Sequence, residues 1–226
     1  MCNNYVDNLF HSLSEVHPTM AVHPAPAPVR ASEAVIAGAA AALRANNIEV
    51  LVVDTGEQAR DEVLARIPAG SEVYSGKSKT LEDIGVFAAL QEPGSYDAIR
   101  PKLLAMDRAT QGREMRKLGS TPDMIVGSVN AITEAGVLVA ASATGNQLAG
   151  YAAGAGRVIY VVGSQKFVPD LDAALVRIRD VVLPWENERV NEKLGVDTKL
   201  TKVLLHIAEW VAGRTTVIIV REPVGI

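Results

Sequence analysis

The sequence predicts an α/β fold, a mostly parallel open sheet with helices on both faces. Three observations carry that expectation. Helix-period and strand-like stretches alternate from Ser32 onward, the pattern of a parallel sheet. Several strand-like runs, Ile48–Val53 (IEVLVV), Val158–Val162 (VIYVV) and Thr215–Val220 (TTVIIV), are apolar at consecutive positions, as in strands covered on both faces. The 226 residues are 48% hydrophobic but only 4% aromatic, rich in Ala, Val, Leu and Ile, which suits helices packed closely on a sheet.

Taken in order, residues 1–16 place Val6, Leu9, Phe10 and Leu13 at amphipathic-helix spacing, and His17–Pro28 is an extended Pro/Ala-rich linker because its prolines fix φ. Residues 1–31 therefore form an N-terminal helix and linker, on the surface or against a neighbouring subunit, and 32–226 a single domain. Ser32 caps a helix carrying Val35, Ile36, Ala39, Ala40 and Leu43 on one face. A buried strand over Ile48–Val53 and a helix over about Glu57–Ile67 follow, the latter closed by Pro68 and Gly70. Glu72–Tyr74 is a short strand, 96–118 the longest helical stretch with a kink or fresh start at Pro101, and Met124–Val126 another short apolar run. Ile132, Val137–Ala140, an alanine-rich helix and Val158–Val162 read as a βαβ unit. Asp170 caps a helix to residue 182, ended by Pro184-Trp185; polar Glu186–Lys199 is the region expected over a site. Lys202–Ile207 and Thr215–Val220 close the chain as two strands.

Composition excludes several functions. A net charge of −4 gives no nucleic-acid footprint, no apolar run nears the ~20 residues of a membrane span, and MCNNYVDNLF is not a secretory signal. Cys2 is the single cysteine, so neither internal disulfides nor a protein-held iron–sulfur cluster is expected. His11, His17 and His23 lack the spacing of a metal site, and no metal is expected. No cofactor is expected: Gly150–Gly156 is glycine-rich but ends a helix, whereas the dinucleotide signature opens one. A protein of the cytoplasm is the expectation.

Candidate site residues follow from loops at the carboxyl ends of strands, where open α/β sheets bind ligands. One such loop is Ser75-Gly76-Lys77-Ser78-Lys79-Thr80. It departs from the phosphate-loop pattern, since Ser71 stands where a glycine is required and 72–74 are strand. Two readings stand: an anion site using Ser75, Gly76, Lys77, Ser78 and Thr80, or a capped turn with two solvated lysines. The second group is Asn130, Glu134, Gly136, Thr144, Gly145, Asn146 and Lys166, expected along the same rim. His206 is expected as a satisfied core or sheet histidine, and Arg214 as a carboxylate binder or a solvated turn residue.

Four segments, in order, resemble the LutC/YkgG-like proteins of the lactate-utilization (LUD) domain family. They are Tyr74-Ser-Gly-Lys-Ser-Lys-Thr-Leu-Glu-Asp-Ile-Gly85, Val129-Asn-Ala-Ile-Thr-Glu-Ala-Gly-Val-Leu-Val139, Val168-Pro-Asp-Leu-Asp-Ala-Ala174 and Gly213-Arg-Thr-Thr-Val-Ile218. The resemblance implies a fold related to the NagB/RpiA/CoA-transferase group. It also implies an accessory role in oxidising L-lactate to pyruvate, with a small carboxylate or phosphate-bearing ligand and partner subunits that carry iron–sulfur clusters. A homo-oligomer stays open. The family's usual Glu-Thr-Gly-Thr is here Glu134-Ala135-Gly136-Val137, two hydroxyls short, and no cysteine-rich segment accompanies it.

Glu134 has three readings: a nucleophile as in CoA-transferase relatives, a base beside a substrate carbonyl, or a structural acceptor of backbone N–H groups. A free-standing isomerase or CoA-transferase-like enzyme centred on Glu134, or a small-ligand sensor, is the alternative to the accessory role.

Overall fold

Six strands form a wholly parallel sheet, its central members apolar on both sides and its strands linked by crossovers. The computed structural model describes residues 29–226, so the expected helix over 1–16, the linker, Cys2 and the three N-terminal histidines lie outside the described residues. Across the sheet the order is β1 (Glu49–Val53), β10 (Thr215–Val220), β7 (Arg157–Gly163), β4 (Met124–Gly127), β2 (Glu72–Ser75) and β3 (Asp97–Ala98). Val158, Tyr160 and Val162 of β7 enter one core while Ile159 and Val161 enter the other, as strand alternation requires.

One face is covered by α2 (Gly56–Ala65), α3 (Lys79–Asp83) and α4 (Val86–Ala89), through Ala59, Val63, Leu81, Ile84 and Val86. The other face meets α1 (Glu33–Ala45) through Ile36, Ala39, Ala40 and Leu43. Ser32 caps α1 as expected, its Oγ accepting from Val35 N–H, and Thr55 and Gln58 form a capping box on α2.

Beside α1 stands a second sheet that the sequence reading did not separate. Its order is β8 (Phe167–Val168), β5 (Ala131–Thr133), β6 (Leu138–Ser142) and β9 (Lys202–His206). β5 and β6 are an antiparallel hairpin: Gly136 takes φ +79° at the turn, and its N–H donates to Thr133 O. The expected βαβ unit is thus corrected, because β6 and β7 belong to different sheets. Leu138 and Ala140 face the main core while Val139 faces a small third core with Ala131, Ala174 and Ile178. Buried on both sides, β6 has the hydropathy of a parallel strand.

Two helical expectations are also corrected. The 96–118 stretch is two helices, α5 (Ile99–Ala105) and α6 (Gly112–Ser120), parted at Met106–Gln111. The helix after Asp170 does not stop at Pro184. α7 (Leu171–Arg177) passes through a π-helical turn, Ile178–Val182, into α8 (Leu183–Leu194). Proline offers no N–H and crowds the carbonyl four residues back, here Asp180. The turn just before it is widened, with Leu183 N–H donating to Ile178 O, and the helix runs on.

Candidate functional site

At the carboxyl edge of the main sheet, the segments leaving β2, β4 and β7 meet the end of β6 and one side of α8. They enclose a cleft of about 450 Å³. This is where a parallel sheet exposes its connecting loops to a ligand. Gly76–Thr80 come from the β2 exit, Ser128–Asn130 from the β4 exit, Lys166 from the β7 exit, and Ala140–Thr144 with Asn146 from β6 and its loop. Trp185, Glu186 and Arg189 of α8 form the opposite wall, with Thr198–Leu200 beyond it.

The cleft is cationic. Lys77, Lys79, Arg100, Lys166, Arg189 and Lys199 line it against one acidic side chain, Glu186. Some of that charge is already paired at the rim: Lys77 with Glu82 at 3.5 Å, Lys79 with Asp83, and Arg189 with Glu186. Arg100 lies over the Phe87 ring at 5.4 Å, and Arg189 over Trp185 at 5.8 Å. Lys193 of α8 comes so close to Lys77 that the neighbouring ammonium group lowers its pKa. Two elements remote in sequence thus bring like charges together beside the cleft.

Lys166 lies on the cleft floor and is only 3% exposed. It occupies a 3₁₀ turn, Ser164–Lys166, where the chain leaves the main sheet for β8 of the second. Its Nζ is 2.7 Å from Thr80 Oγ1, 2.9 Å from Ser128 Oγ and 3.2 Å from Val129 O. The Ser128 hydroxyl donates in turn to Val161 O at 2.6 Å. Burial lowers the amine's pKa to about 7, helped by the Arg177 charge and opposed by Asp83. The C-terminal segment closes around the same point: Gly225 N–H donates to Asp83 Oδ2, Gln165 Nε2 donates to Val224 O, and Ile226 reaches the cleft. Gly163 permits that approach, since a Cβ there would lie 2.6 Å from Val224 O and 2.7 Å from Val224 N.

Tyr74 and Tyr151 complete the inner wall. Burial raises both phenol pKa values, and for Tyr74 Arg100 and Arg108 oppose the rise. No group of three or more His, Cys, Asp or Glu among the described residues stands close enough to hold a metal ion.

A family model described as the LUD domain matches residues 36–202, most of the chain and every strand from β1 to the start of β9. The chain belongs to the LUD domain family. Among solved structures, a DUF162 family protein from Deinococcus radiodurans is 14% identical, with 84% of this chain and 99% of that chain covered at a TM-score of 0.44. A comparison with curated proteins finds no match.

Within this LUD domain the expected site residues separate into two groups. Gly76, Lys77, Ser78, Thr80, Asn130, Thr144, Asn146 and Lys166 line the cleft together. Asn130 also has a structural task, its Oδ1 accepting from Ala141 N–H at 2.6 Å across the hairpin. Ser75 is a strand residue, 1% exposed, whose Oγ has no hydrogen-bond partner among the described residues. It does not line the cleft, and neither does Gly145, whose backbone shapes the loop at φ +80° with its N–H on Ser142 Oγ.

Glu134 and Gly136 are elsewhere. The β5–β6 hairpin carries Glu134 to the amino end of β6, whereas Ser142–Asn146 follow its carboxyl end. Four residue steps of β6 put on the order of 13 Å between those ends. Glu134 is exposed there, its N–H donating to Val168 O, and Gly136 packs against Ala39, Ala42 and Leu43 of α1. The one-rim placement expected for Glu134 is therefore corrected, because it assumed β6 and β7 in a single sheet.

Of the two alternatives expected for it, Arg214 takes the carboxylate-binding one, with the protein's own Glu209 as the carboxylate. Its guanidinium bonds to the Gly150, Tyr151 and Ala155 carbonyls and to Glu209, closing the π-helical turn Gly150–Gly154. His206 is a core histidine, with Nε2 3.2 Å from Glu209 Oε1 and Nδ1 3.4 Å from the Tyr160 hydroxyl.

Sequence reading missed Ser128, Arg100 and Trp185, and reached Arg189 only as part of the polar Glu186–Lys199 stretch expected over the site. Ser128 carried a signal, a hydroxyl directly after the four-residue buried strand Met124–Gly127. The other three stand on helical elements whose orientation depends on the break at Met106–Gln111 and the π-helical turn before Pro184.

Proposed function

We propose that this LUD domain serves lactate utilization as an accessory, ligand-binding subunit, and that its cleft holds a small carboxylate or a phosphate-bearing molecule. The observation that carries the reading is the excess of basic side chains lining one cleft at the carboxyl edge of the sheet. In a semi-enclosed site such charges attract an anion far more strongly than on open surface. Trp185, Val182, Leu183 and Leu200 supply an apolar wall for the ligand's carbon skeleton. Family membership supports the link to lactate. Electrons removed from lactate need an acceptor such as a flavin, a nicotinamide or metal centres. The proposal assigns those to partner proteins with iron–sulfur clusters and keeps binding and presentation for this chain. Glu134, at the far end of β6, takes no part at the ligand.

Thermal unfolding with L-lactate, pyruvate, phosphate and sulfate tests the reading. A saturable rise in Tm is expected with at least one of them, and Lys77→Ala should weaken it about tenfold while the unliganded Tm stays within a few degrees. An unchanged ligand response in Lys77→Ala would remove the Gly76–Thr80 loop from the site. Absence of any saturable response would remove the site itself.

A further inference from the structure

We propose that Lys166 is an imine-forming amine, and that the cleft's ligand is a 2-oxo acid whose carbonyl carbon bonds reversibly to Lys166 Nζ while its carboxylate is held by the basic side chains around it. The inference rests on the reading of the cleft as a carboxylate site and adds the carbonyl and the covalent step.

Geometry is the first ground. Lys166 is the basic residue at the floor, and Lys77, Arg100, Arg189 and Lys199 are disposed around it in the same cleft. A small 2-oxo acid carries carbonyl carbon and carboxylate on adjacent atoms, and the cleft presents both an amine and further basic side chains to it. The second ground is the chemistry of the amine's surroundings. An ammonium group uses three hydrogens for Thr80 Oγ1, Ser128 Oγ and Val129 O. After losing one proton it keeps two donors for three acceptors and gains a lone pair, with the longest contact, Val129 O at 3.2 Å, the first to be released. Lysine nucleophiles are activated by desolvation and by a nearby cation, and here burial and Arg177 supply both. The Arg177 Nη1 group is itself buried and has no hydrogen-bond partner among the described residues.

The step balances without redox. The Nζ lone pair forms a bond to the carbonyl carbon, and the C=O π pair moves onto oxygen. A proton passes from nitrogen to that oxygen, with the Thr80 hydroxyl at 2.7 Å placed to relay it. The second N–H proton then passes to the carbinolamine hydroxyl, water leaves, and the nitrogen electron pair completes the C=N bond. Amine and 2-oxo acid give imine and water, and hydrolysis reverses it. Ser128 is a positioning residue: its proton is committed to Val161 O, so its oxygen faces Nζ as an acceptor.

The test is reductive trapping on the full chain. Protein is incubated with pyruvate and sodium borohydride near pH 8, digested and mapped by mass spectrometry, with thermal unfolding in pyruvate and in L-lactate measured alongside. One reduced pyruvyl group on Lys166, at least tenfold above any other lysine, is expected, and L-lactate, which has no carbonyl, should suppress labelling without being trapped. Ligand-dependent stabilisation with no adduct at Lys166, or adducts confined to exposed lysines, would overturn the imine and leave the carboxylate cleft standing. An adduct at Lys166 without stabilisation by either carboxylate would support the imine and overturn the cleft reading. Ser128→Ala, which keeps the amine and removes one acceptor, should still be labelled but more slowly.

Discussion

Lys166 joins three strand exits through one amine, and its protonation is therefore tied to folding. In the unfolded chain its pKa is the ordinary 10.5; in the fold it is about 7. Between those values the unfolded state binds the extra proton, so stability contributed by this group rises with pH across that window. The contribution is fully present above 10.5 and is lost as pH falls through about 7. Arg177 and Asp83 are the charged groups acting on it, and burial lowers the pKa of Arg177 itself. The stability of the wild type relative to Lys166→Met, followed by urea unfolding from pH 7 to pH 10, should increase with pH. A flat difference would mean that the amine stays charged in the fold. Lys166→Met also strips the Thr80 and Ser128 hydroxyls of a donor, a loss of about 1–3 kcal/mol that does not depend on pH.

The elements that shape the cleft were unevenly legible in the sequence. Five of the six parallel strands were readable, the central ones because runs such as Val158–Val162 are apolar at every position, as a doubly covered strand demands, whereas Asp97–Ala98 was hidden in a stretch read as helix. The same rule misled at Leu138–Ala140, where the covering on one side is the main core and on the other α7. A short turn ending at Gly136, between two apolar runs, was the local sign of a hairpin, and it decides where Glu134 lies. The Gly76–Thr80 loop was legible from its polar residues after a strand, and Glu186–Lys199 was expected over the site, but as a polar stretch after a helix end and not as the helix that forms the opposite wall. Pro184 reads as a stop, yet one widened turn carries the helix past it. A π-helical insertion rotates all that follows by about 100°, one residue's worth of helix, and so sets which side of α8 meets the cleft. Pro184→Ala frees that turn to close. The expected result is a changed emission from Trp185, against the constant background of Trp210, which is 97% exposed, with anion binding several-fold weaker and the fold intact. Unchanged emission and binding would show that the π-helical turn is fixed by its packing through Ile178 rather than by the proline.

At the scale of the whole molecule, the two sheets and α1 share one core while α2–α4 close the other side of the main sheet. The cleft opens where the sheets diverge, because Ser164–Lys166 must cross from one to the other and brings a lysine with it. Floor, loops and α8 wall thus come from the family-matched region 36–202, with only the C-terminal segment added from outside it. No helix among the described residues is long and apolar enough to cross a membrane. The central claim is that this cleft is an anion site for a small carboxylate, and isothermal titration tests it most directly. Pyruvate and L-lactate are titrated into the wild type and into Arg100→Ala, a variant that alters the cleft wall without touching the Lys166 network. The account predicts one saturable site per chain, weakened about tenfold or more in Arg100→Ala, a loss of about 1.4 kcal/mol. A wild type that binds neither carboxylate, or an Arg100→Ala variant that binds both as tightly as the wild type, would contradict it.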